Sequence, residues 1–412
     1  MQWKHKGHEY DAQGKWLASK QRLYFYGLGV RAAELWPIVA WLEKDMPWEV
    51  VCVDCDPEKQ RAEYHGHEVI SPQEMLSDWN GDNLIFVAFY EKGAADALTD
   101  DLVTKGVDRE DIVWCCDEDF FLFLTIYMAY AASKAFFFST CFVVTTVCNL
   151  RCRDCLNFTP YLRENIVYSL EEAKRNIDIF FRAVDRVYRF QISGGEPLLY
   201  PELPELLDYI GSHYGDRIFR LEIVTNGTLL LDARTCDALR RNHVTVFLDD
   251  YRMSLPSELA ERHDEIATML EQEGVTWVDN RVEEWFCLYA PKRLQEKMPE
   301  EKLRDMFQRC RNPFQCLEHG KLWACNFAGF ADKAGVLRGD QSEMFDLSSY
   351  TKEQLMELIE FRTGYTARGY VNLCHACNGW ARINQLRCQP AIQEERMSIR
   401  GGQLHEVDEE RT

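Results

Sequence analysis

At 412 residues the chain is long enough for two or three domains, and 46% hydrophobic with 28% charged residues describes a folded protein with full cores. A net charge of −20 argues against general affinity for nucleic acid or for an anionic membrane surface, since both rest on surplus Lys and Arg. The opening stretch MQWKHKGHEYDAQGKW holds no apolar signal core, and the most apolar run, FFLFLTIYMAYAAS at 120–133, ends at Lys134, short of a bilayer span. A cytoplasmic protein with no membrane contact is expected.

Residues 1–117 read as a small α/β domain. RLYFYGLG is an apolar strand running into Gly27 and Gly29, and RAAELWPIVAWLEK follows with helical spacing. WEVVCVDCDP, DNLIFVAFY and DIVWCCD supply further strands, and strands alternating with helices imply a parallel sheet. The stretch from Gly27 to Ala33 approximates G-x-G-x-x-G/A, with Asp54 or Asp56 about where a ribose-binding acid would sit. A tight strand-to-helix turn that binds nothing also explains these glycines. Residues 118–140 read as a helical linker.

Residues 141–299 return to the α/β rhythm. TCFVVTTV is a strand leading into CNLRCRDC, and SLEEAKRNIDIFFRAV is an amphipathic helix with Ser169 and Glu172 placed as a capping box. YRFQISGG, FRLEIVTNG and HVTVFLDD are strands that each end in a small or polar cluster, the pattern of a barrel-like parallel sheet with functional loops at its strand C-termini. Residues 300–392 are cysteine-rich with few strong strands, and 393–412 form a polar tail expected to be loose.

Of sixteen cysteines, Cys148, Cys152 and Cys155 fall within eight positions as C-x3-C-x2-C. Chance gives roughly 0.02 such matches in a chain of this cysteine content, so the spacing carries information. Three thiolates on one loop leave a remote fourth ligand or an open coordination position. A closed zinc knuckle needs the former, and an iron–sulfur cube with one free iron fits the latter. About forty residues on, QISGGEPLL offers Gly194 and Gly195 for close backbone approach to a ligand, Glu196 as an acceptor and Pro197 to fix the turn. IVTNG then ends a strand with Thr225 and Asn226, and VFLDDY ends another with Asp249 and Asp250.

Together these motifs resemble the radical S-adenosylmethionine (radical SAM) superfamily. The resemblance covers residues 141–390. It implies a partial parallel (β/α)6-type barrel, preceded by the Rossmann-like α/β domain and followed by a cluster-binding domain. It also implies a [4Fe-4S] cluster on Cys148, Cys152 and Cys155, with S-adenosylmethionine on its open iron. Gly194, Gly195 and Glu196 would then hold the methionine ammonium, and Thr225 and Asn226 the ribose. Asp154 departs from the pattern, since the residue before the third cysteine is often aromatic in the family.

The last quarter adds C-x9-G-x4-C from Cys310 through Gly320 to Cys325, then C-x2-C at Cys374 and Cys377. Four thiolates at these spacings close a zinc site or a second [4Fe-4S] cluster. The pattern resembles the twitch or SPASM extension of radical SAM enzymes. That resemblance implies one auxiliary cluster on Cys310, Cys325, Cys374 and Cys377, with Cys316 an alternative to Cys310. Cys287 is either a hydrogen-atom donor to a substrate radical or a buried cysteine.

The function expected is a radical SAM oxidoreductase acting on a small polar substrate: a sugar, an aminocyclitol or a nucleotide-linked sugar. Its auxiliary cluster would accept an electron, and a flavodoxin or ferredoxin would be the one-electron reductant. A peptide-modifying radical SAM enzyme is the alternative within the family. A zinc-stapled binding protein is the alternative outside it.

Overall fold

The structure is a computed structural model that describes residues 1–46, 48–116, 118–312, 314–393, 397–400 and 403–406. The chain divides into one unit at Tyr10–Phe136 and a second formed by Met1–Glu9 with Phe137–Thr412.

In the first unit the elements are α1 (Asp11–Ala18), β1 (Arg22–Tyr26), α2 (Val30–Asp45), β2 (Glu49–Val53), β3 (Glu63–Tyr64), β4 (His67–Ile70), α3 (Pro72–Ser77), β5 (Asn83–Val87), α4 (Lys92–Thr104), β6 (Ile112–Trp114) and α5 (Glu118–Ala132). The sheet order is β3-β4-β2-β1-β5-β6, parallel at β4/β2, β2/β1, β1/β5 and β5/β6. Strands β1 and β5 are nearly continuous apolar runs because helices cover both faces of a parallel sheet. The run that is too short for a bilayer is α5, which lies in this unit with Phe120, Leu124, Tyr127 and Met128 buried and Tyr127 against Trp48 at 4.3 Å. Among the described residues no helix is long and apolar enough to cross a membrane.

The glycine turn after β1 closes on itself. A Cβ at Gly27, whose φ is +90°, would stand 2.1 Å from the Phe89 ring. The Asp54 carboxylate accepts from Leu28 N–H at 2.8 Å, Asp56 N–H at 2.9 Å and Lys59 Nζ at 2.9 Å, so it braces the turn rather than facing outward.

The second unit contains β7 (Phe136–Thr145), α6 (Leu170–Ala183), β8 (Arg186–Gly194), α7 (Leu203–Tyr214), β9 (Ile218–Thr225), α8 (Ala233–Arg241), β10 (Thr245–Asp250), α9 (Ser257–Gln272), β11 (Trp277–Arg281), β12 (Trp285–Phe286), α10 (Glu300–Cys310), β13 (Cys316–Glu318), β14 (Lys321–Trp323), α11 (Asn326–Lys333), β15 (Met344–Asp346), α12 (Leu355–Arg362), β16 (Arg387–Cys388), β17 (Met397–Arg400) and β18 (Gln403–Glu406). Its main sheet has eight strands in the order β11-β10-β9-β8-β7-β13-β14-β15. Pairing is parallel at β11/β10, β10/β9, β9/β8 and β7/β13, and antiparallel at β13/β14 and β14/β15.

This is the mixed α/β, parallel-rich class expected, with one difference. Strands β13 to β15, drawn from the cysteine-rich stretch 300–392, extend the sheet begun within 141–299. Cys316 and Leu317 are fully buried beside Cys141 and Phe142, but three residues give too short a pattern to read as a strand from sequence. The capping box that opens α6 is formed as the sequence predicts, and this helix buries Ile177, Phe180 and Phe181. Within the expected tail, 397–400 and 403–406 pair antiparallel as β17 and β18, while 394–396, 401–402 and 407–412 lie outside the described residues.

Candidate active site

The C-terminal ends of β7, β8, β9 and β10 surround a cavity of about 550 Å³. Cys148, Cys152, Cys155, Gly194, Gly195, Glu196, Thr225 and Asn226 all line it, so the three motifs separated by some eighty residues of sequence meet at one place.

Local chemistry sets each loop. After β7 the chain turns at Thr145, whose Oγ1 accepts from Val147 N–H at 3.1 Å, and enters the cysteine loop. Three groups donate to its sulfurs. Leu150 N–H reaches Cys148 Sγ at 3.4 Å, Asn226 Nδ2 reaches the same atom at 3.8 Å, and Gln393 Nε2 reaches Cys152 Sγ at 3.3 Å. Gln393 also accepts from Arg151 N–H at 2.7 Å, so the end of the chain's described core straps the loop. Burial pushes the Cys148 and Cys152 thiols up to about 12, and the neighbouring Cys155 thiol adds to both shifts. Leu150, Cys152, Tyr251 and Ala391 are buried together around the loop, with Trp285 packed against them. That is an apolar seal against water.

The glycines act differently from the sequence expectation of open backbone facing a ligand. A Cβ on Gly194 would stand 2.2 Å from Thr145 O, and one on Gly195 2.4 Å from Val147 O. Gly195 and Glu196 N–H groups bond Thr145 O and Val147 O at 2.8 Å each. The room left by the missing side chains is therefore taken by the strand that carries the cysteine loop. Glu196, 1% exposed, accepts from Leu198 N–H at 3.0 Å and Asn226 N–H at 2.9 Å. It is a strut between the GGEP and TNG loops, and burial raises its carboxyl to about 7 against those hydrogen bonds.

Strand alternation separates the two aspartates that end β10. Asp249 lines the cavity and accepts from Tyr251 Oη at 2.6 Å and Asn280 Nδ2 at 2.5 Å; burial raises its carboxyl to about 6. Asp250 does not line the cavity and instead pairs with Arg252 at 2.8 Å. The polar lining continues through Gln191, Ser193 and Asn326.

Part of the cavity wall is aromatic. Trp380 sits with Phe286 at 4.8 Å, Phe327 at 5.4 Å and Phe314 at 5.8 Å, and all four line the cavity. Behind this wall lies the second cysteine set. Trp380 N–H donates to Cys310 Sγ at 3.2 Å, Asn312 Nδ2 to Cys325 Sγ at 3.3 Å, and Gly379 N–H to Cys377 Sγ at 3.1 Å. Burial raises the Cys374 and Cys377 thiols, and the neighbouring Cys310 and Cys325 thiols add to both shifts. Cys316 lies instead beside Cys141 in the sheet. Cys287, whose sulfur neighbours Cys388, is not among the described cavity-lining residues.

Trp380, Asn280, Tyr251 and Gln393 escape sequence reasoning. Trp380 follows the C-x2-C by three positions, a signal within reach. Asn280 sits in the polar strand WVDNR, and Gln393 is distant from the loop it braces.

Residues 142–264 match the profile of the family described as Radical SAM superfamily. That segment is a radical SAM domain. The chain is 33% identical over 129 residues to GTP 3',8-cyclase 1 of Mycobacterium tuberculosis (strain ATCC 25618 / H37Rv), covering 29% of this chain and 34% of that protein. It is 36% identical over 128 residues to GTP 3',8-cyclase of Acidothermus cellulolyticus (strain ATCC 43068 / DSM 8971 / 11B), covering 29% and 33%. The matched length thus spans about a third of these relatives, and residues 142–264 contain the cysteine loop and the GGEP and TNG strand ends. Among solved structures, native anSMEcpe with bound AdoMet aligns with TM-score 0.36 and 14% identity, over 53% of this chain and 80% of that one. BtrN in complex with AdoMet and 2-DOIA aligns with TM-score 0.36 and 16% identity, over 60% and 94%.

Proposed function

We propose that the chain is a radical SAM oxidoreductase that converts a CH–OH or CH–NH2 carbon of a small polar substrate to the C=O or C=N level. The substrate class is a sugar, an aminocyclitol or a nucleotide-linked sugar. One observation carries the reading: a single cavity is lined both by the Cys148/Cys152/Cys155 loop with Asp249 and by Trp380, whose backbone N–H donates to Cys310 of the second cysteine set.

The donor sets fit iron–sulfur centres. Each is a group of buried and half-buried thiols that meets N–H donors, and a bound cation would favour the thiolate form against the burial that raises Cys148, Cys152, Cys374 and Cys377. Cys148, Cys152 and Cys155 would hold a [4Fe-4S] cluster with one iron open. Glu196, Thr225 and Asn226 would frame S-adenosylmethionine beside it. Cys310, Cys325, Cys374 and Cys377 would hold a second cluster. When bound, the first centre and S-adenosylmethionine supply a 5′-deoxyadenosyl radical that removes a hydrogen atom from substrate. The second centre would supply an acceptor for the one electron left behind.

The chain's own groups do the rest. Asp249, ionised above about pH 6, takes the hydroxyl or ammonium proton. A hydrogen atom, a proton and an electron together make the two-electron oxidation. Gln191, Ser193 and Asn326 offer hydrogen bonds to substrate hydroxyls. Trp380 and its neighbours present an aromatic face to the ring C–H groups and exclude water. A flavodoxin or ferredoxin would reduce the first centre.

The test is anaerobic reconstitution with iron and sulfide, a count of iron, sulfide and zinc per chain, and a panel of sugars, aminocyclitols and nucleotide sugars. About eight irons, with 5′-deoxyadenosine formed in step with an oxidised product, is the expected result. Turnover on peptides instead would move the chain to the peptide-modifying branch. Zinc without iron sinks the enzyme reading.

A further inference from the structure

Behind the cavity wall, on the face of β10 and β11 turned toward α9, lies a group of side chains that the radical chemistry does not use. The parallel register pairs Asp249 with Asn280 and Asp250 with Arg281. Asp249 and Asn280 line the cavity, so alternation turns Asp250 and Asp279 to the opposite face. There they meet His263 of α9. His263 is 4% exposed, and neither of its ring nitrogens has a hydrogen-bond partner. A buried imidazole with both nitrogens idle is costly and calls for an explanation.

The distances supply one. His263 Nε2 stands 3.5 Å from Asp279 Oδ1, and one ligand atom each from Asp250, His263 and Asp279 lie within 4.8 Å of one another. At 3.5 Å an imidazole and a carboxylate are too far apart for a good hydrogen bond. Two ligands about 2.0–2.1 Å from one tetrahedral zinc-sized ion stand roughly 3.4 Å apart. We propose that Asp250, His263 and Asp279 bind one divalent transition-metal cation, zinc or manganese, that clips α9 to the strand pair presenting Asp249 and Asn280.

The surroundings suit a cation. Asp250, Asp264 and Asp279 face two guanidiniums, Arg252 and Arg281, which leaves one surplus negative charge. Arg252 fixes Asp250 through Nε to Oδ1 at 2.9 Å and Nη2 to Oδ2 at 2.8 Å, a second layer that orients the ligand. His263 Nδ1 lies 3.8 Å from Asp264 Oδ1, beyond hydrogen-bond distance. One imidazole with two carboxylates favours zinc, manganese or iron over magnesium and calcium. The Asp279 side chain is 32% exposed, which gives ions a way in and leaves positions for water.

The site is independent of the iron–sulfur reading, and manganese separates the two because it prefers oxygen and imidazole to thiolate. The full chain, reconstituted with its iron, is titrated with Mn2+ while the free-ion electron paramagnetic resonance signal is followed. One Mn2+ taken up per chain is expected, with affinity at least about tenfold weaker in Asp279→Asn and His263→Gln and iron content unchanged. No uptake by the wild type, or uptake unchanged in both variants, overturns the proposal. Should His263→Gln fail to fold, Asp279→Asn, at the more exposed ligand, decides alone, with circular dichroism as the check on its fold.

Discussion

The two cysteine sets of the second unit are built in opposite ways. Cys148, Cys152 and Cys155 come from eight consecutive residues at the end of one strand and line an open cavity. Cys310, Cys325, Cys374 and Cys377 are gathered from the end of α10, the start of α11 and a turn some fifty residues later. Three thiolates on one short loop leave a coordination position facing substrate, whereas four drawn from separate elements close on themselves and tie those elements together. Under the proposed function the first set would serve the chemistry, and the second would hold the fold and accept an electron.

The largest effects come from removing one sulfur from each set. Cys152→Ala should lower iron by about four per chain and abolish 5′-deoxyadenosine formation. Cys374→Ala should also lower iron by about four while S-adenosylmethionine cleavage continues without stoichiometric oxidised product. Iron assay with chromatography of 5′-deoxyadenosine reads both. If Cys374→Ala costs one zinc and no iron, the closed set is a structural metal site and the comparison sharpens to catalysis against stapling.

Next is Asp249→Asn. Asparagine keeps the shape and a hydrogen bond but takes no proton, so oxidised product should fall by about 10²–10⁴-fold with both iron counts intact. An unchanged turnover number would remove Asp249 from the chemistry and leave the open side of the comparison with the cysteine loop alone.

How much of this was legible follows the same division. The CNLRCRDC, GGEP and TNG motifs are local, each ending a strand, and a short pattern suffices to mark them; the cavity then brings all eight of their named residues together. The role of the glycines was not legible, because Gly194 and Gly195 make room for Thr145 O and Val147 O, atoms some fifty residues earlier in the chain. The extension of the sheet by β13 was hidden for a related reason: Cys316 and Leu317 look like part of a cysteine run until they are seen beside Cys141 and Phe142. The Rossmann-like fingerprint shows the converse risk. Gly27 and Asp54 stand where the motif asks, yet Asp54 spends its carboxylate on Leu28, Asp56 and Lys59. Tertiary partners decide such cases, and spacing does not contain them.

A smaller effect tests the strap over the open loop. Gln393 Nε2 donates to Cys152 Sγ at 3.3 Å, and an N–H donor stabilises a cluster most when it carries the extra electron. Gln393→Ala should therefore lower the midpoint potential of the first cluster by roughly 40 mV, taking about 1 kcal/mol for the bond and one electron transferred. Redox titration followed by electron paramagnetic resonance measures it. A shift in the second cluster's signal instead would show the strap acting on the closed set.

The smallest effect concerns what stands behind the closed set. Glu343 is 1% exposed; its backbone oxygen accepts from Ala324 N–H at 2.8 Å, next to Cys325, and its carboxylate accepts from Asn372 N–H at 2.8 Å, two residues before Cys374. Burial raises this carboxyl from 4.5 to about 7, against the Asn372 hydrogen bond and the Arg368 charge. The folded state then holds the proton more tightly than the unfolded one. Its stabilisation is complete below about pH 4.5 and is lost as pH rises through 7, a change on the order of 2–3 kcal/mol at most. Glu343→Gln keeps an acceptor for Asn372 and cannot titrate, so it should flatten the fall in urea midpoint between about pH 4.5 and pH 7 that the wild type shows. Equal slopes in the two proteins would mean that Arg368 keeps Glu343 ionised throughout. The closed set would then rest on a permanent ion pair, and its stability would be as indifferent to pH across this range as its sulfurs are to solvent.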